Sequence, residues 1–336
     1  MPTRLTLLAA VGAAALSGCG GGSGGSSSGT PYAPLSSTTH STAAAPRGAV
    51  PARSLRLRSA PGPSLPSARS GIATVADGGD VLIAGGLSDA AVSTSTILRL
   101  TASGSVVSAG ALPDPAHDAA AAALGGRVLL FGGGQSEGSD RIEQIAPGPA
   151  HVVGHLPQAL SDLTATTIGD AVYLAGGWNG TDTNRAILAV KPGSSTAVTV
   201  GQLPRGVRYP AVAALGGRLI VAGGELTSGS PTASVWSFDP GRGALTPLPA
   251  LPAPIDHSAA AVLNGRFYLL GGLRQGTLSA TILSWAPGEP AWRVAGHLPT
   301  PLQNGAAAPY GAGIALIGGK TAGGTVATVT LLHPAG

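Results

Sequence analysis

The sequence predicts an all-β chain folded as a six-bladed β-propeller with four strands per blade, and three observations carry that prediction. A Gly-Gly pair recurs at 85–86, 132–133, 176–177, 223–224, 271–272 and 318–319, the first members standing 47, 44, 47, 48 and 47 residues apart. A short apolar run precedes every pair, from Val81-Leu82-Ile83-Ala84 in the first repeat to Ile314-Ala315-Leu316-Ile317 in the last. A Leu-Pro stands twenty residues before every pair, at Leu65, Leu112, Leu156, Leu203, Leu251 and Leu298. Glycine pairs alone mean little in a chain with 53 glycines, but both other markers move with them, even at the short second interval. A period in the forties marks a stacked or closed repeat architecture.

Composition excludes several alternatives. With 53 Gly and 28 Pro the chain has the turn content of a disordered polymer, yet 43 % of its residues are hydrophobic and sit in short runs between turn signals, as strands do. The net charge of +4 is spread thinly and forms no Lys/Arg run, so nucleic-acid binding has no electrostatic footprint.

Three segments are expected along the chain. Residues 1–18 read as an export signal: Arg4 supplies the positive start, and the apolar stretch from Leu5 to Leu16 is too short to span a bilayer. Leu16-Ser17-Gly18-Cys19 resembles a bacterial lipobox, which implies lipidation of Cys19 and anchoring to the extracytoplasmic face of an envelope membrane through several acyl chains. Cys19 is the single cysteine, so the folded domain is expected to hold by packing without a disulfide. Residues 19–51, rich in Gly, Ser, Thr, Pro and Ala, bury too little to order themselves and read as a flexible tether. Residues 52–336 are the propeller.

Within a repeat, the residues after Leu-Pro form a polar loop, then a strand of small residues such as Ala119 to Leu124 or Ala259 to Leu263. Helix propensity favours helix for Ala119 to Ala123; the repeat context overrides it, because six innermost strands converge on an axis where only small side chains fit. Gly125-Gly126, Gly169-Asp170, Gly216-Gly217 and Asn264-Gly265 suit two-residue hairpins. The apolar run is the second strand; Ser234 to Phe238 and Thr281 to Trp285 are third strands, and Trp292-Arg293-Val294 begins a fourth. The last repeat ends at His333-Pro334 after three strands. Ser54-Leu55-Arg56-Leu57-Arg58 alternates with period two and is expected to supply its missing outer strand, a closure that removes open sheet edges.

Over residues 52–336 the chain resembles the kelch-repeat family. The matching features are Gly-Gly after an apolar strand, Phe238-Asp239-Pro240 in place of the kelch Tyr-Asp-Pro, and Trp285 with Trp292 at the kelch Tyr-to-Trp spacing. The other repeats lack most of those aromatics. The resemblance implies that the loop before each first strand and the loop after each Gly-Gly emerge on one face, around the mouth of the central channel.

Polar residues at that phase are the candidate ligand-binding face. Fourteen residues before the pairs stand Gly71, Asp118, Asp162, Tyr209, His257 and Asn304, flanked by His117, Arg208 and Asp256; just beyond the pairs stand Gln135, Glu137, Trp178, Asn179, Glu225, Arg274 and Lys320. With Arg69 these form a polar, mixed-charge ring with aromatics, suited to a small polar ligand, a glycan or a peptide, or else simply solvated loops. His117-Asp118 and Asp256-His257 belong to opposite repeats, where turn hydrogen bonding is favoured over a metal or acid–base site with Asp162. His155 and His297 each precede a Leu-Pro and read as strand ends.

No catalytic residue, cofactor or metal is assigned. Copper radical oxidases of galactose-oxidase type resemble kelch propellers but need a cysteine cross-linked to tyrosine, and the single cysteine here is the lipidation site. The expectation is therefore a monomeric, membrane-anchored binding module for a glycan, peptide or partner protein. The alternative is a carbohydrate-active enzyme resembling the sialic-acid mutarotases, with Glu225 and Arg208 or Arg274 as its reacting pair. Convergence of such a pair in a deep pocket would favour the enzyme.

Overall fold

The structure, a computed structural model, describes residues 56–134 and 138–335. The expected leader, Cys19 and the tether lie outside the described residues, as do Gln135 and Glu137. Six four-stranded antiparallel sheets follow one another along the described chain, and no helix interrupts them. Blade 2 shows the plan from axis to rim: Ala120–Leu124, Arg127–Phe131, Arg141–Ala146 and His151–His155. Innermost strands touch in sequence order around the ring, and that of blade 6, Ala306–Tyr310, meets that of blade 1, Ala73–Asp77. The alanine-rich segments are strands, as the repeat phase required against their helical propensity. His155 and His297 end outer strands.

Blade 6 takes its outermost strand from the N-terminal side of the domain. Leu57–Ser64 pairs antiparallel with Thr328–Pro334, Leu57 opposite Pro334 and Arg58 opposite His333. The strand extends further along the chain than the expected Ser54 to Arg58, running through Pro61-Gly62-Pro63. An outermost strand bonds on one side only, so a proline without an N–H is tolerated there.

The core lies between blades rather than within any one of them. Six apolar clusters among the described residues each join two neighbouring blades; one, for example, sets Phe131 and Leu129 of blade 2 against Val172 and Leu174 of blade 3. The leucine of every Leu-Pro is buried, at 1–5 % exposure, so the marker is a plug in the seam.

The Gly-Gly pair is the second seam device. In every blade the N–H of the second glycine donates across the seam to the carbonyl sixteen residues before the next blade's pair. The six bonds run Gly86 to Ala116, Gly133 to Leu160, Gly177 to Val207, Gly224 to Ile255, Gly272 to Leu302 and Gly319 to Arg69, at 2.7–2.9 Å. Five of those acceptors carry apolar side chains packed in the seam, and the sixth is Arg69.

Arg69 therefore does not join the ligand face. It is 4 % exposed, Nη1 donating to Gly85 O at 3.2 Å and Nη2 to Ser67 Oγ at 2.9 Å. Nε has no partner and no carboxylate among the described residues pairs with it. Desolvation lowers its pKa. A buried charge without a counter-ion is a stability cost, and Arg69→Leu restores the apolar residue of the other repeats. We expect that variant to unfold about 1–4 kcal/mol later, a gain of several degrees in Tm. A melting temperature at or below that of the parent protein would show that the guanidinium stabilises the seam.

Candidate functional site

The site is built from a local backbone device repeated six times. The residue fifteen before each Gly-Gly pairs with the residue two beyond its first glycine: Ser70 with Leu87, His117 with Gly134, Ser161 with Trp178, Arg208 with Glu225, Asp256 with Leu273, and Gln303 with Lys320. The next residue turns left-handed, with φ between 49° and 60° at Gly71, Asp118, Asp162, Tyr209, His257 and Asn304. Glycine, Asp, Asn and His accept this conformation; Tyr209, at φ 50°, is the bulky outlier. Such strain persists only where the surroundings impose it, and it concentrates at functional sites.

These six residues link into a collar. The N–H of five of them donates to the carbonyl of the counterpart one blade earlier: Asp118 to Gly71 at 2.7 Å, Asp162 to Asp118 at 2.8 Å, Tyr209 to Asp162 at 2.9 Å, Asn304 to His257 at 3.1 Å and Gly71 to Asn304 at 3.1 Å. At the remaining step the Tyr209 and His257 rings stack, their centroids 3.8 Å apart. The collar rings a well of about 160 Å³. Below it a further space of about 390 Å³ continues down the axis, sharing Ala121, Ala165, Ala260 and Ala307 with the well. The mouth is polar and the channel beneath is alanine.

The wall is chemically lopsided. Blades 2 and 3 present Asp118 and Asp162, blades 4 and 5 the Tyr209–His257 stack, and blades 6 and 1 only Asn304 and Gly71. The side chain of Asp162 is 6 % exposed, with Arg208 Nη1 at 3.8 Å. Burial, with Asp118 nearby, raises its carboxyl to a pKa of about 6. Burial raises Asp118 likewise. Tyr209 Oη donates to Asp118 Oδ2 at 3.3 Å, and burial with the nearby carboxylates pushes its phenol above the usual tyrosine range. His117 Nε2 lies 3.9 Å from Asp118 Oδ2, while its Nδ1 shares a hydrogen bond with Ser93 Oγ at 2.8 Å.

Around the rim, Arg208 is held by Glu225: Nε and Nη2 both donate to Oε1, at 2.9 and 2.5 Å. Its guanidinium also lies 5.1 Å from the Trp178 ring centroid and 5.6 Å from that of Tyr209. The expected convergence of Glu225 and Arg208 is thus real, but as a cross-strand ion pair; neither residue lines the well. Arg274 and Lys320 sit on short hairpins beyond their Gly-Gly pairs, also away from the lining. Asn179 accepts N–H bonds from Thr181 and Asp182, capping its own loop. Glu225, Asp256 and His257 bring ligand-capable atoms within 4.8 Å of one another. Glu225 is engaged by Arg208, and Asp256 and His257 share a 2.7 Å hydrogen bond, so turn bonding accounts for the trio.

Sequence phase thus located five side chains of the well, Asp118, Asp162, Tyr209, His257 and Asn304, but missed the left-handed backbone that aims them. The signal was present in the Gly, Asp, Asp and Asn at four of the six positions, residues that tolerate positive φ.

The chain is a closed six-bladed propeller with a polar well at one mouth of its axis. No protein-family model matches the chain, and no curated protein does. Among solved structures it is similar to the one titled "Structure of YjhT", at TM-score 0.69 and 18 % identity, covering 81 % of this chain and 96 % of that one. At that identity the likeness carries the fold alone.

Proposed function

We propose that this chain is an exported, membrane-tethered kelch-type propeller that binds a small polar ligand, or one polar group of a larger glycan, peptide or protein, in its axial well without transforming it. One observation carries the reading: six left-handed residues, bonded blade to blade, direct an acidic pair, an aromatic stack and an amide into a single cavity of about 160 Å³. Convergent polar groups with perturbed ionisation in a cleft are the physical mark of a ligand site. The cavity volume matches one sugar ring or one side-chain tip rather than an extended chain. Tethering through Cys19 rests on the lipobox-like string alone.

A second reading, sugar-ring opening by acid–base catalysis, is favoured by Asp162, whose carboxyl titrates near neutrality beside a second carboxyl. The Glu225–Arg208 pair does not serve it, being spent on itself outside the well. Two carboxyls in the lining also disfavour an anionic sugar of the sialic-acid kind.

The test is a glycan and sugar binding screen on the full chain, repeated with Tyr209→Ala, His257→Ala and Asp162→Asn. Each substitution should weaken a hit at least tenfold. Binding unchanged in all three places the site elsewhere, and turnover of a bound sugar that Asp162→Asn abolishes would favour the enzyme. Cys19→Ser should release the protein from membranes; retention would refute the anchor.

A further inference from the structure

We propose that the group this well selects is a primary ammonium, carried by an amino sugar or by a lysine side chain. This rests on the well being the ligand site and adds the charge and donor pattern of what enters it.

Acceptors dominate the lining. Asp118 and Asp162 stand on one side, the Asn304 amide opposite, and no Lys or Arg is among the lining residues. An ammonium has three N–H donors and no acceptor, the complement of a carboxylate wall. The cation nearest Asp162, Arg208, lies 3.8 Å away and favours the ionised carboxyls, but Glu225 holds it at 2.5 and 2.9 Å, so one guanidinium is shared among three acids. Asp256 and Glu225 add acid at the rim, in a chain whose net charge is +4. The stacked rings of Tyr209 and His257 add carbon surface to the lining, which the methylenes of a lysine or the carbons of a sugar can contact. A quaternary head has no N–H to offer the carboxylates, whereas –CH2–NH3+ has three and fits a well of about 160 Å³.

Two buried carboxyls with raised pKa resist ionising together, so a bound cation must displace a proton. The groups facing Asp162 are Asp118, Tyr209 and Arg208; those facing Asp118 are His117, His257, Tyr209 and Arg208. Amine affinity should therefore rise with pH through the range near 6 where Asp162 loses its proton, with proton release on binding.

Titration calorimetry of the full chain with glucosamine and with Nα-acetyl-lysine methylamide separates the two sources. Glucose, Nα-acetyl-norleucine methylamide and N-acetylneuraminic acid are the controls. The expected result is binding of at least one amine, about tenfold tighter at pH 7 than at pH 5 and about tenfold or more weaker in Asp118→Asn and Asp162→Asn. Asparagine accepts the left-handed backbone, and melting curves verify that both variants fold. Amines that bind no better than their neutral partners, or no binding at all, overturn the ammonium assignment. If a neutral or anionic probe binds instead and Tyr209→Ala weakens it, the well survives as the site and only the ammonium falls. If amines bind and none of these variants alters the affinity, both readings fall.

Discussion

Gly132→Ala is expected to destabilise the domain by about 4 kcal/mol, although it adds one methyl group to a residue outside the lining of the well. Gly132 has φ +61°, and a Cβ built on it lies 2.2 Å from the carbonyl oxygen of Leu160 in the next blade. The left-handed backbone alone costs an alanine about 1–2 kcal/mol. The remainder comes from overlap with a backbone atom that cannot turn aside, because that carbonyl already accepts the Gly133 N–H at 2.8 Å. Relief would require the two blades to part and the buried leucines of the seam to lose contact. Gly126→Ala is the control: φ is +77°, but nothing lies within 4 Å of its Cβ, so only the 1–2 kcal/mol of backbone strain applies. Urea unfolding of both variants reads the difference. Equal losses would mean that the seam yields, and that the glycine pairs serve conformation and not blade approach.

The second large effect concerns pH. The carboxyl of Asp162 titrates at about 6 in the folded chain against 3.8 for an unperturbed carboxyl. Between those values the folded state binds more protons than the unfolded one, so stability falls as pH rises through that window and stays low above it. The side chain is 6 % exposed, so solvent screening relieves little of the cost, which amounts to about 3 kcal/mol. It belongs to the pair with Asp118 rather than to one residue. The domain is expected to resist urea better at pH 5 than at pH 7.5, and Asp162→Asn to remove most of that difference by stabilising the protein at pH 7.5. A parent protein more stable at pH 7.5, with Asp162→Asn less stable than it there, would contradict the buried-carboxyl reading. Two acids maintained at this cost in the mouth of the channel are what a binding site needs and what a scaffold alone would shed.

Much of the fold was legible because it is written in local, repeated chemistry. Phe238-Asp239 and Thr281 to Trp285 fall on third strands, and Gly125-Gly126 turns the hairpin between Leu124 and Arg127, since hydrophobic period and turn residues act over a few positions. Where the reading slipped, a neighbour distant in sequence was responsible. The closing strand was read at Ser54 to Arg58 but runs over Leu57–Ser64, because Thr328–Pro334 presents an unfilled edge to it. Arg69 reads as a rim cation but occupies the acceptor position of the closing seam, where five other repeats place an apolar residue. Glu225 and Arg208 read as a reacting pair but stand opposite each other across a strand extension.

By itself, then, the sequence determined that the chain has six blades of four strands, the phase at which they repeat, and that the last borrows its outer strand from the first part of the domain. Spacing, apolar runs and turn dipeptides determine these, and each is read within one repeat. Only the tertiary structure decided that Asp118, Asp162, Tyr209 and His257, drawn from four repeats, share one well, and that Arg69 does not. Which side chains meet depends on which blades adjoin and on the left-handed turn that aims each residue at the axis. At five of the six positions that turn also carries a hydrogen bond to the preceding blade, a contact that no single repeat contains.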